Sequence, residues 1–307
     1  MTTLSVAVVS KDPTVRLAAA REFDQAPASW SIHLHETPPP EADVLVFGSD
    51  VRSEAEKDIV FDPGKVGSLV EEVRRSASTA RSKVFVVMGA GRGVGVTSLA
   101  LHLSAAAARD RPTCFVDLDL EWGAAGRLGI EREHLSWRDS TDEDSLRLAA
   151  LPVSGGFRAL LAPGDASEGS LPSWDDIETS QLVRHAGGSF DRLFIDCAGE
   201  TGTEGALEQA DAGVLVVSAT PAGARRAVSL LTRYPSTRWA IVLNRLGPGG
   251  ETTRSELHRV LGRRSAIELP CTPALRDAED DDALLTNPWS RYVRQVARLL
   301  RALESVP

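Results

Sequence analysis

Between residues 83 and 270 the apolar positions gather into short continuous runs. They are KVFVVMG (83–89), TCFVDLD (113–119), FRALLAP (157–163), RLFIDC (192–197), AGVLVVSA (212–219), WAIVLN (239–244) and SAIELP (265–270). Val/Ile/Leu runs without polar alternation read as strands buried on both faces, as in a parallel sheet covered by helices. Apolar residues at helical spacing occupy most of the intervals. The expected fold class is therefore α/β, a doubly wound and mostly parallel sheet. Right-handed crossovers would bring the loops after each strand to one edge, where such sheets bind ligands. Segment 131–156 is polar and punctuated by turn formers, and it yields no assignment.

Upstream, LSVAVVS, SIHLHE and DVLVFGS read as strands, and TVRLAAAREF and GSLVEEVRRSA carry helical spacing. The small, polar stretch SASTARS (76–82) separates the two patterns. The expected organisation is a small αβ domain at 1–75, a linker at 76–82 and a larger domain at 83–307. A chain of 307 residues, 42% hydrophobic and 25% charged, accommodates both.

A net charge of −9 argues against a nonspecific grip on nucleic acid, and no specific nucleic acid is expected. Three widely spaced cysteines, Cys114, Cys197 and Cys271, point to a reducing, cytoplasmic setting without a disulfide framework. No basic leader precedes the first apolar run, which reads as a buried strand. The most apolar helix, VTSLALHLSAAAA, is well below the roughly 20 residues of a membrane span.

The chemistry concentrates at GAGRGVGVTS (89–98), a glycine-rich turn between a strand and a helix. Such a turn aims backbone N–H groups at a phosphate and adds the positive end of the helix dipole. Alone it is also compatible with a plain tight turn. Its neighbours change the picture. FVDLDLEWG ends the next strand with Asp117 and Asp119, and FDRLFIDCAGE ends another with Asp196. Acidic groups at adjacent strand ends would face the loop, as Mg²⁺ coordination and water positioning require. Capping of the following helices is the alternative for each aspartate taken singly.

Residues 83–303 resemble the MinD/ParA group of deviant P-loop ATPases, particularly its CpaE/TadZ branch, with the motifs in matching order. The loop lies where the group has its lysine- and glycine-rich turn, and VDLDLEWGAAGRLG lies on its second acidic motif. DRLFIDCAG matches its Walker B strand, IVLNR its adenine-side motif, and LPCTPALRDAEDDDALL the segment closing the pocket. The resemblance implies ATP and Mg²⁺ as cofactors and a cradle formed by Gly91, Arg92, Gly93, Val94, Gly95, Val96, Thr97 and Ser98. It further implies Mg²⁺ held by Thr97 with Asp117 and Asp196, water positioned by Asp119 as the catalytic residue, and adenine read by Asn244.

One departure decides what the site can do. The group carries two loop lysines, and here those positions read Gly91 and Val96; no lysine follows Lys83. Losing one charge-assisted contact costs about 1.5–3 kcal/mol, or one to two decades of affinity. Losing a cation that neutralises transition-state charge costs about 10³–10⁵ in rate. The expectation is a protein that binds ATP and hydrolyses it poorly. By resemblance it would be a localisation or regulatory protein for septum-site control or pilus/secretion assembly. It would work with protein partners of that apparatus, as a homodimer, recruited to pole, septum or inner membrane face. Two other readings remain: an Mg-ATPase using Arg92 in place of lysine, and a receiver-type signalling protein.

The front domain resembles a truncated receiver. VLVFGSD offers Phe47 and Gly48 where a phosphoacceptor would stand, with Asp50 displaced beyond the strand, so a docking role is expected. His33 and His35 share a strand face without an evident third metal ligand. In SRYVRQVARLLRALESVP, Arg291, Arg294, Arg298 and Arg301 face one way, and Val293, Val296, Ala297, Leu300 and Leu303 the other. Core packing of that stripe is expected. The resemblance adds peripheral membrane contact through 290–303 as the alternative.

Overall fold

The computed structural model describes residues 4–26, 30–39, 42, 44–52, 59–63, 69–70, 72–73, 82–120, 123–130, 134–140, 143–163, 175–197, 202–244 and 253–305. The chain divides into two compact units, Met1–Arg81 and Ser82–Pro307.

In the first unit β1 (Leu4–Val9), α1 (Pro13–Glu22), β2 (Trp30–His35), β3 (Val44–Gly48) and β4 (Ile59–Phe61) follow one another. The strands are parallel in the order β2-β1-β3-β4. Val6, Val8, Val44, Val46 and Ile59 pack with Ala19 and Phe23 into the core of this unit. Asp12 caps α1 by accepting from Thr14 N, and Pro13 supplies the first helical φ without wasting a donor. Most of GSLVEEVRRSA and nearly all of the linker 76–82 lie outside the described residues.

The second unit holds eight strands among its described residues, in the order β12-β11-β10-β5-β9-β6-β8-β7. On one side of the centre are β5 (Lys83–Gly89), β9 (Arg192–Cys197), β6 (Thr113–Asp117), β8 (Arg158–Leu160) and β7 (Leu151–Pro152). On the other are β10 (Ala212–Ser218), β11 (Trp239–Asn244) and β12 (Ile267–Leu269). All pairings are parallel except β7 with β8. The seven apolar runs each contribute a strand. β5, β6, β9 and β10 are buried along almost their whole length, which is why they show no alternation.

Helices cover both faces. α2 (Val96–Ala107) and α9 (Arg291–Glu304) share one core with Phe85, Phe115 and Phe194; the Phe85 and Phe194 rings stack at 5.1 Å. α3 (Glu143–Ala149), α4 (Asp176–Gly187) and α5 (Thr203–Glu208) lie among a second cluster built on Val86, Val116, Leu193 and Ile195. α6 (Pro221–Arg233) and α7 (Arg254–Leu261) cover Leu215, Val217, Ile241 and Leu243. The unassigned segment contains the helical turn Trp137–Asp139, then α3 and β7, elements too short to show a period.

The terminal helix packs on the core. Tyr292, Val296, Leu299, Leu300 and Leu303 are buried, while Arg291, Arg294, Arg298 and Arg301 stay exposed. Tyr292 meets His102 of α2 edge-on at 5.1 Å. His102 Nδ1 bonds Ser98 O at 2.6 Å and its Nε2 accepts from Leu285 N at 3.1 Å. Burial pushes the His102 pKa below its usual value, in keeping with a neutral ring that donates on one side and accepts on the other.

Candidate functional site: a phosphate loop at the strand edge

The loop leaves the C-terminal end of β5, the strand at which the chain turns from building one side of the sheet to the other. Its start is fixed by Ala90 N, which donates to Val216 O of β10 at 2.8 Å. Gly91, Gly93 and Gly95 all take positive φ, at 149°, 66° and 91°. Gly95 is also the N-cap of α2, and no side chain caps that helix. By contrast α4, α6 and α7 are capped by Asp175, Thr220 and Thr253. The first-turn amides of α2 are thus left to the loop and to whatever anion enters it.

Asn244, at the end of β11, braces this turn. Its Nδ2 donates to Val94 O at 2.8 Å, and a Cβ built on Gly95 would lie 2.7 Å from the same nitrogen. The side chain assigned by resemblance to adenine is therefore engaged with the loop backbone. Gly95→Ala combines left-handed strain with this clash, whereas a Cβ at Gly93 meets nothing within 4 Å. Gly95→Ala is expected to cost about 1–3 kcal/mol and more than Gly93→Ala, as read from urea unfolding of both variants.

Val94 and Val96 turn inward, 4% and 6% exposed, and join the core beneath the loop. Position 96, where the resemblance places a lysine, is a packing position in this chain. Arg92 is exposed and Thr97 half-buried. Ser98 is buried, and its hydroxyl is held by protein: it bonds Glu279 Oε1, and Arg127 Nη1 lies 3.0 Å away. Arg127 and Glu279 form an ion pair at 2.9 Å. Glu279 comes from α8 (Pro273–Asp280), so the acidic run 279–282 is solvated only at Asp280, Asp281 and Asp282.

The two strand-end aspartates lie side by side in the sheet. Asp117 of β6 and Asp196 of β9 are register partners on adjacent parallel strands, and both are buried, at 1% and 0% exposure. Asp117 Oδ1 accepts from Asp119 N at 3.0 Å and its Oδ2 from Ala124 N at 2.5 Å. Trp137 Nε1 donates to the Asp117 carbonyl at 2.6 Å. Burial pushes the Asp117 pKa up to about 7 against these hydrogen bonds, with the Asp119 charge adding to the rise. Asp119 itself is half-buried at the turn that Asp117 organises.

These residues fit a magnesium nucleotide unevenly. A Cβ at Gly93 would meet nothing within 4 Å, so the turn is open there, and Thr97 and Asp196 carry oxygens of the kind that would hold Mg²⁺. Asp117 already commits both oxygens to its own turn, which makes it the poorer ligand of the pair. No three His, Cys, Asp or Glu side chains converge on a ready-made metal site among the described residues, the His33/His35 pair included.

One neighbour of the loop escaped sequence reasoning. A Cβ on Gly91 would stand 3.0 Å from Nη1 of Arg226, a residue of α6 far along the chain. Only the placement of β10 beside β5 brings the two together.

No protein-family model matches the chain, and no curated protein sequence matches it. Solved structures do match. A ParA family ATPase from Chlorobium tepidum TLS is similar at a TM-score of 0.62 and 20% identity, over 72% of this chain and 98% of that one. The cell division ATPase MinD from Pyrococcus furiosus gives 0.61 and 18%, over 74% and 100%. The septum site-determining protein MinD from Pyrococcus horikoshii OT3, complexed with Mg-ADP, gives 0.60 and 17%, over 73% and 96%. With the loop after β5 and the acidic strand ends beside it, these likenesses establish that the chain carries the fold of the ParA and MinD ATPases.

Proposed function

We propose that the protein is a nucleotide-binding positioning protein of the CpaE/TadZ kind, which holds ATP with Mg²⁺ and hydrolyses it poorly. The observation that carries this reading is the loop at Gly91–Ser98: three positive-φ glycines open to an uncapped helix end, with glycine and a core-packed valine at the two lysine positions. The amides, the Thr97 hydroxyl and Mg²⁺ supply binding; the two loop lysines that would neutralise transition-state charge are replaced by Gly91 and Val96. Similar folds have been solved with Mg-ADP, AMPPNP and ATP, which supports nucleotide as the ligand.

In this reading the bound nucleotide sets a conformation that protein partners recognise, in division-site control or in pilus/secretion assembly, with a homodimer as the working unit at pole or septum. A MinD from Aquifex aeolicus has been solved as a MinC:MinD complex, which supports a protein partner as the readout. The parallel order β2-β1-β3-β4 of the first unit is a doubly wound one, which supports the receiver-like reading and with it the docking role. Asp50 is occupied there, accepting from Ser10 Oγ at 2.6 Å and Lys11 N at 2.8 Å, which suits a module that takes no phosphate. Contact with a membrane surface would run through the four exposed arginines of α9, since its apolar stripe is buried; among the described residues no helix is long and apolar enough to cross a bilayer.

The test is equilibrium ATP binding with and without Mg²⁺. Wild type is expected to bind more tightly with Mg²⁺, and Thr97→Ala to lose most of that Mg²⁺ enhancement while keeping the metal-free affinity. Absence of binding in every condition would leave the fold as a scaffold without a ligand and overturn the proposal.

A further inference from the structure

We infer that Arg226 is the cation of the phosphate loop: its guanidinium, brought by α6 against Gly91, takes the outer phosphate oxygens of a nucleoside triphosphate held in the loop. The inference deepens the proposed function and rests on it. The geometry begins with β10, whose Val216 O accepts from Ala90 N at 2.8 Å, so the end of β10 and the start of the loop run side by side. The chain then turns through Thr220, which caps α6 by accepting from Gly223 N at 3.1 Å. Gly223 lies close against Ser218, which holds the first turn of α6 near the strand end. Arg226 follows one turn later and puts Nη1 3.0 Å from where a Cβ of Gly91 would be.

Three further facts single this arginine out. Gly91 has no side chain, so the space a loop side chain would use is open to the guanidinium. Arg226 makes no hydrogen bond or ion pair among the described residues, whereas Arg233 of the same helix is paired with Glu204 at 3.1 Å. Val96 is turned into the core, and no lysine follows Lys83. A fork-shaped donor with no partner among the described residues, beside a turn of positive-φ glycines, is suited to phosphate, which guanidinium grips through two parallel hydrogen bonds. Arg225, its exposed neighbour on α6, is the natural control.

The experiment is calorimetric titration of the full chain with Mg-ATP, Mg-ADP, AMP and inorganic tripolyphosphate, for wild type, Arg226→Ala, Arg226→Lys and Arg225→Ala. Arg226→Ala is expected to weaken ATP and tripolyphosphate binding about 10- to 100-fold, ADP less and AMP least. Arg226→Lys should recover part of the loss, because it restores charge without the fork, and Arg225→Ala should stay within about twofold. Both arginines are exposed, so unfolding midpoints should not move, and a loss of binding is then a loss of contact. If wild type binds ATP and Arg226→Ala binds it equally well, the assignment of Arg226 falls and the nucleotide reading of the loop stands. If wild type binds neither ATP nor tripolyphosphate, both fall together.

Discussion

Saturated with Mg-ATP, the protein is expected to release phosphate at about 10⁻² per second or more slowly, at least roughly 10³-fold below a median enzyme. The physical reason lies at position 96. A lysine there would begin at the first residue of α2 and reach along the phosphate chain from within the loop. Val96 instead packs at 6% exposure against the core and offers no charge to the oxygens that become more negative as the bond breaks. If the amides and Arg226 grip the triphosphate equally before and during the reaction, they tighten the complex without raising turnover. Phosphate release by wild type, Arg92→Ala and Arg226→Ala should therefore all sit near background. Turnover near 10 per second that collapses in Arg92→Ala would establish the alternative, an ATPase in which that exposed arginine replaces lysine.

What the sequence reveals of this protein follows from how local each feature is. The central strands are legible because burial on both faces writes an unbroken apolar run, as in VFVV of β5 and VLVV of β10. β4 and β7, of three and two residues, write too little to read. The loop is legible because its demands are local: glycines where φ is positive, then a helix. The partners of the loop are not. Asn244 bonds Val94 across 150 positions, and Glu279 reaches Ser98 across 181. Arg226 meets Gly91 through a strand order that no window of the chain displays. The amphipathic stripe of α9 is visible in its spacing, but a stripe does not name what covers it; the fold supplies His102 and the α2 face, and adds Tyr292 and Leu299 to the buried set. The aspartates are legible from their place at strand ends, while the use of Asp117, bonded to the amides of Asp119 and Ala124, depends on a turn that the sequence alone does not draw.

That turn carries the second large effect. Burial, with the Asp119 charge adding to it, pushes the Asp117 pKa from 3.8 up to about 7 in the folded chain, against its backbone hydrogen bonds. Between those values the folded state keeps a proton that the unfolded state has lost, so stability falls as pH rises. The contribution is fully present below about pH 4 and gone above about pH 7, and roughly three pK units correspond to on the order of 4 kcal/mol. Asp117→Asn removes the titration. Its Oδ1 can still accept from one amide, but its NH₂ then faces the N–H of the other, at a cost of about 1–3 kcal/mol. The variant should therefore be the less stable protein at pH 4 and should exceed wild type at pH 8. Urea midpoints followed by tryptophan fluorescence across that range measure the crossing, and parallel pH profiles for the two proteins would show that Asp117 is charged in the folded state throughout.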